Sequence, residues 1–169
     1  MSIETETIDV TELEYCRHGD RSMILRLFRP NGAGPFPVIL DLHGGAWNKG
    51  SIDECTARDT YFADHGLAAA ALDFRHAADG YPTSSIDINT ALRWLKANAA
   101  VHGLDPDRVA ITGQSSGGHL AMLAAMRPND ARYATQPVAG ADVDATVRDR
   151  KSTRLNSSHS QQSRMPSSA

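Results

Sequence analysis

The sequence predicts an α/β fold: a mostly parallel sheet with helices on both faces. Three observations carry this. Continuous apolar runs recur at residues 37–42, 67–74 and 109–112, the mark of strands covered on both sides. Segments of helical length and spacing stand between them, at residues 53–65 and 84–99. The resulting strand-helix-strand-helix order calls for right-handed crossovers and hence parallel neighbours.

Before the first run, residues 12–18 and 22–29 read as extended, and Gly19-Asp20-Arg21 between them reads as the turn of a hairpin. Pro30-Asn31-Gly32-Ala33-Gly34-Pro35 is a loop with strong breaker chemistry. The strand at 37–42 then delivers His43-Gly44-Gly45-Ala46-Trp47 at its C-terminal end. The helix at 53–65 is closed by Gly66. Ser84 and Asp87 form a predicted capping pair for the next helix. Its apolar face is Ile88, Ala91, Leu92, Leu95 and Ala99, and Gly103 ends it. After the strand at 109–112 a further helix stops before Pro128, and residues 129–148 read as a long loop leading to a strand that does not follow.

At 169 residues, 41% hydrophobic and 22% charged, the chain has the composition of one globular domain with a real core. Its net charge of -3 conceals an asymmetry, since residues 149–169 carry +3 and the body before them -6. An acidic body argues against a nucleic-acid partner. From Asp149 onward seven serines fall in 21 residues with almost nothing apolar, too little to offset the entropy of ordering. That stretch resembles the conceptual translation of a sequencing-library adapter. The domain is therefore expected at 1–148, with 149–169 a non-native or disordered tail.

Cys16 and Cys55 lack the spacing of metal or redox pairs and read as buried or idle thiols of a reducing compartment. The acidic first residues do not suit a secretory signal, and no apolar run approaches membrane-spanning length. A cytoplasmic protein without a membrane partner is expected.

The chemistry lies in Gly113-Gln114-Ser115-Ser116-Gly117, set directly between a predicted strand and a predicted helix. Gly-x-Ser-x-Gly at such a junction is a nucleophile elbow, a turn so sharp that its flanks admit no side chain. Alone, the pattern arises by chance in about one chain of this length in twenty. An upstream His-Gly-Gly at the end of a buried strand, with the intervening elements in order, removes most of that risk. Ser115 is the candidate nucleophile, whose Oγ attacks an ester carbonyl to form an acyl-enzyme. A helix-capping serine is the plainer alternative.

Three segments resemble the α/β-hydrolase superfamily, in particular its hormone-sensitive-lipase-like and acetylesterase-like carboxylesterases. They are His43-Gly44-Gly45-Ala46-Trp47, Leu72-Asp73-Phe74-Arg75, and the run from Asp105 through the elbow to Ala121. Two features depart from the family pattern: Ala46 replaces the last glycine of the usual His-Gly-Gly-Gly, and His76-Ala77-Ala78-Asp79 replaces a Leu-Ala-Pro type segment. Alanine still offers a backbone N–H, whereas the second departure leaves the acyl preference open.

The resemblance implies an α/β-hydrolase fold truncated after the nucleophile helix, acting on a small-molecule ester with no cofactor and no metal. It also implies an oxyanion hole in which Ser116, Gly45 and Ala46 donate N–H groups while Gly44 lets the main chain approach closely. A lost donor of this kind costs about 10²- to 10³-fold in turnover. His43 is expected to anchor that loop, and His119, one turn beyond Ser115, to be a buried hydrogen-bonded residue pointing away. Trp47 either walls an acyl pocket or covers the core. Asp73 and Arg75 are expected in ion pairing and not in catalysis.

In this fold the triad acid and histidine follow later strands. After Ser115 the chain offers Asp130, Asp142, Asp144, Asp149, His119 and His159, none at the expected place. The chain as it stands is expected to be nearly inactive, because a serine without an imidazole is a poor nucleophile. The contrasting reading is a non-catalytic relative that keeps the scaffold as a small-ligand binding protein. Oligomeric state is not legible.

Overall fold

The computed structural model describes residues 8–139 and 142–148; the expectations for the first residues and for the tail fall outside these. β1 (Asp9–His18) and β2 (Arg21–Arg29) form the antiparallel hairpin. Its turn is tighter than predicted. Gly19, at φ +59, and Asp20 make a two-residue link, and Arg21 already pairs with His18.

β3 (Phe36–Leu42), β4 (Ala68–Leu72) and β5 (Leu104–Gly113) run parallel. The sheet order is β1-β2-β4-β3-β5, with β2 antiparallel to β4. Period-two alternation sorts the side chains. Val38, Leu40 and Leu42 of β3, with Ala68, Ala70 and Leu72 of β4, join one core with α2 (Thr83–Ala97) and α3 (Ser116–Met126). Ile39, Ala69 and Ala71 face the other way, toward α1 (Thr56–Asp64) and the turn before it. Each fully buried leucine or isoleucine contributes about 1.5–3 kcal/mol, so the α2 stripe of Ile88, Leu92 and Leu95 is enough to seat that helix.

The helix expected at 53–65 is split. Ser51 Oγ accepts from the Asp53 N–H, a 3-10 turn covers Ile52–Cys55, and α1 follows. Gly66, at φ +82, donates its N–H to the Ala63 carbonyl and closes the helix.

The expected capping pair of α2 does not form, and the helix begins after Pro82. Ser84 Oγ donates to the Arg75 carbonyl. The Asp87 carboxylate accepts from the Arg75 N–H at 2.9 Å, from its guanidinium at 2.7 and 2.9 Å, and pairs with His18 Nε2 at 3.0 Å. A carboxylate on the inward face of a helix, 0% exposed, must be neutralised, and a guanidinium does so where one backbone N–H cannot.

No strand forms among the described residues after α3, as expected. The outer edge of β5 is nevertheless covered in part. Arg148 donates its N–H to the Val109 carbonyl at 3.0 Å, and Ala145 and Val147 are buried in the main core. No helix among the described residues is long and apolar enough to cross a membrane.

Successive crossovers from β3 to β4 and from β4 to β5 lie on opposite faces of the sheet. β3 and β5 are parallel neighbours, so the segments that leave them, residues 43–47 and 113–117, emerge side by side at their carboxyl ends.

Candidate active site

Both predicted motifs lie at the carboxyl ends of these two strands. β5 runs into Gly113, and the Gln114 N–H donates to the Leu42 carbonyl at 3.0 Å, tying the turn to the end of β3. Ser115 follows at φ 53, ψ -117, and α3 starts at once with Ser116. A non-glycine residue held there stores about 1–3 kcal/mol. Ser115 occupies the capping position of α3, yet its side chain makes no capping bond and the residue is exposed. The capping-serine alternative therefore fails.

The elbow's glycines are dictated by space. A Cβ at Gly113 would fall 2.4 Å from the Gly117 carbonyl carbon, and one at Gly117 would fall 2.4 Å from the His43 carbonyl oxygen. Ser115→Gly is expected to relieve the strained φ, stabilising the chain by about 1 kcal/mol net of added unfolded-state entropy while deleting the hydroxyl. A lower urea midpoint for this variant would contradict the strain.

The second motif closes against the first. A Cβ at Gly44 would lie 3.3 Å from the Gln114 carbonyl oxygen and 3.6 Å from Ser115 Cβ, so the main chain of the glycine loop passes directly beside the serine. Gly45, Ala46 and Trp47 all have positive φ, at 112, 53 and 64, which coils the loop back on itself. The Gly45 carbonyl accepts from the N–H groups of Asn48 and Lys49, and a Cβ on Gly45 would sit 1.9 Å from the Lys49 carbonyl oxygen. The Ala77 N–H donates to the Trp47 carbonyl at 2.7 Å, joining the loop to the segment after β4. Ser116 is the first residue of α3, so its N–H is among those a helix leaves without an internal acceptor.

His43 is buried and donates from Nδ1 to the Gly44 carbonyl at 2.7 Å, with its ring stacked on Phe74 at 4.4 Å. His76 stands edge-on to it at 5.4 Å. Burial, and then His43, push the His76 imidazole below its ordinary value, which favours the neutral ring. The Nε2 atoms of both rings are buried without a partner.

Other predicted positions need correction. His119 is exposed and stands edge-on to Trp47 at 5.7 Å, because its turn of α3 faces outward beside the glycine loop. Trp47, 46% exposed, covers no core. Asp73 and Arg75 are in ion pairs as expected, though not with each other: Asp73 lies 3.9 Å from Arg21, while Arg75 grips Asp87.

The Arg75–Asp87–His18 clamp was missed, as was a buried pair, Asp41 and Asp59. The available signal was a carboxylate inside an apolar run or on an apolar helix face. Two groups of three polar atoms cluster within 4.8 Å, Cys16–His18–Asp87 and Asp41–Cys55–Asp59. In each an arginine already holds a carboxylate, Arg75 on Asp87 and Arg58 on Asp41, which speaks for ion pairs and against bound cations.

The BD-FAE family pattern matches residues 25–165. The chain is 40% identical over 102 residues to LipM of Mycobacterium tuberculosis, covering 59% of this chain and 24% of LipM. It is 36% identical over 117 residues to esterase LipC of the same organism, covering 67% of this chain and 29% of LipC. The propionate-bound structure of the thermophilic esterase Est2 from Thermogutta terrifontis superposes with a TM-score of 0.72 at 26% identity, covering 82% of this chain and 52% of Est2. The chain thus spans about a quarter of the two curated relatives' length and about half of the structural neighbour's. With the sheet order, the elbow and the glycine loop in place, the chain belongs to the BD-FAE family and has the α/β-hydrolase fold of its esterase relatives.

Proposed function

We propose that this chain carries the nucleophile half of a carboxylic-ester hydrolase, acting on small acyl esters through a serine acyl-enzyme without metal or cofactor. One observation supports this most. An exposed, uncapped Ser115 at positive φ stands beside a main-chain loop whose Gly44 approaches within side-chain contact of it. In this reading Ser115 is the catalytic nucleophile, and the N–H groups of Gly45, Ala46 and Ser116 receive the oxyanion. Gly44 admits the close approach. The same reading takes a small ester and no nucleic acid as partner and places the chain in the cytoplasm, where the free thiols Cys16 and Cys55 stay reduced.

Among the described residues each imidazole has its contacts away from Ser115: His43 with Gly44, His18 with Asp87, His65 with the Tyr61 carbonyl, His76 with the Asp79 N–H, His102 stacked on Trp94, and His119 against Trp47. Without a base at Ser115, p-nitrophenyl acetate hydrolysis by this chain is expected near background, at least about 10³-fold below a complete triad.

A fluorophosphonate probe tests the assignment. Slow labelling confined to Ser115 and lost in Ser115→Ala is the expected result. Labelling that survives Ser115→Ala, or none at Ser115 in a chain extended to include an acid and a histidine, would favour the ligand-binding reading.

A further inference from the structure

Two carboxylates meet on the α1 face of the sheet, one strand residue away from the glycine loop. Asp41 projects from β3 to this face beside Ile39, and Asp59 projects from α1; both are 0% exposed. Asp41 receives Arg58 on both oxygens, Nε at 2.6 Å and Nη2 at 2.8 Å. The same Nη2 lies 3.8 Å from Cys55 Sγ. Neither oxygen of Asp59 has a donor, although one of its oxygens, one of Asp41's and the Cys55 sulfur all lie within 4.8 Å of one another.

Nothing else nearby neutralises Asp59. β4 faces it with Ala69 and Ala71, and on β2 the guanidinium of Arg26 is held by Glu12 and Asp53. Glu54, in the turn before α1, adds only negative charge. Two anions sharing one chelated guanidinium out of water are untenable. A divalent cation would have to sit against that guanidinium. A neutral carboxyl instead gains an O–H and becomes a donor to the carboxylate beside it.

We propose that Asp59 is a protonated carboxylic acid at neutral pH, sharing its proton with the Asp41 carboxylate, and that the pair is an alkali-labile latch holding α1 on β3. Burial first, and then the charge of Asp41, hold the Asp59 carboxyl well above the usual carboxylate range, which agrees with the geometry. The sign of the effect follows. An unfolded aspartate loses its proton near about pH 4, while the folded Asp59 keeps it. Unfolding therefore releases a proton, and stability is greatest in mild acid and falls with rising pH until Asp59 ionises within the fold.

Urea unfolding of the full chain and of Asp59→Asn tests this, since asparagine keeps a donor to Asp41 without a titrating proton. Between about pH 5 and 8 the ratio of the parent's unfolding constant to the variant's is expected to rise by up to tenfold per unit. The Asp59 carboxyl carbon, followed by NMR, is expected at its protonated shift at neutral pH. Parallel pH profiles, an ionised shift, or a stoichiometric divalent cation retained through dialysis by the parent and lost from Asp59→Asn would overturn the proposal. Should the variant fail to fold, the carboxyl shift of the parent decides alone.

Discussion

Gly117→Ala is expected to cost about 3 kcal/mol or more, a fall in melting temperature of roughly 10 °C for a domain of this size. By helix propensity alone the change should help, since alanine exceeds glycine by about 1 kcal/mol inside a helix. Space decides otherwise. The new Cβ would fall 2.4 Å from the His43 carbonyl oxygen and 2.5 Å from that of Leu42, both main-chain atoms that cannot rotate away. Relief requires α3 to lift from β3, but the Gln114 N–H bond to the Leu42 carbonyl ties the two together. Gly19→Ala is the control, because a Cβ there meets nothing within 4 Å and only the φ of +59 is penalised, at about 1 kcal/mol. Equal losses in the two variants, read from urea midpoints, would mean that elbow and strand are not in contact as described.

Asp87→Ala is expected to cost about 3–5 kcal/mol, because it strands a guanidinium and a backbone N–H at a buried site. Arg75 loses four hydrogen bonds at once, and His18 loses its carboxylate partner. The damage reaches the candidate site. Arg75 precedes the segment whose Ala77 N–H holds the Trp47 carbonyl, so freeing Arg75 loosens the outer end of the glycine loop. Replacing both partners by apolar residues, Asp87→Leu with Arg75→Met, is expected to recover most of the loss, since no unpaired charge remains. A cost below about 1 kcal/mol for the single variant would show that the clamp is solvated and dispensable.

Much of the architecture was legible because local pattern and tertiary need coincide. The runs of β3 and β4 are apolar because both their faces are covered, and the α2 stripe shows at helical spacing because one face of that helix meets the sheet. The elbow was legible for a stricter reason. Glycines at 113 and 117 are forced by contacts with Gly117 and with the end of β3, so the spacing of small residues records the geometry directly. His43 was placed correctly as an anchor, by resemblance and not by spacing.

The misses share one cause. Ser84 and Asp87 have the residue types of a capping pair, but a cap is a local option, and Asp87 was claimed by Arg75 and His18 from β1 and from the segment after β4. His119, one turn beyond Ser115, was read as buried, yet the helix turns that side outward beside Trp47.

By itself, then, the sequence determined the class of fold, the elbow and the loop that faces it, since these depend on short-range sterics and on apolar periodicity. Tertiary structure alone decided which charged residues meet. The partners of Asp87 lie 12 and 69 positions away, and Arg58, the partner of Asp41, lies across a strand-helix contact. Desolvation makes every buried charge demand a partner, but only folding fixes which one comes within reach.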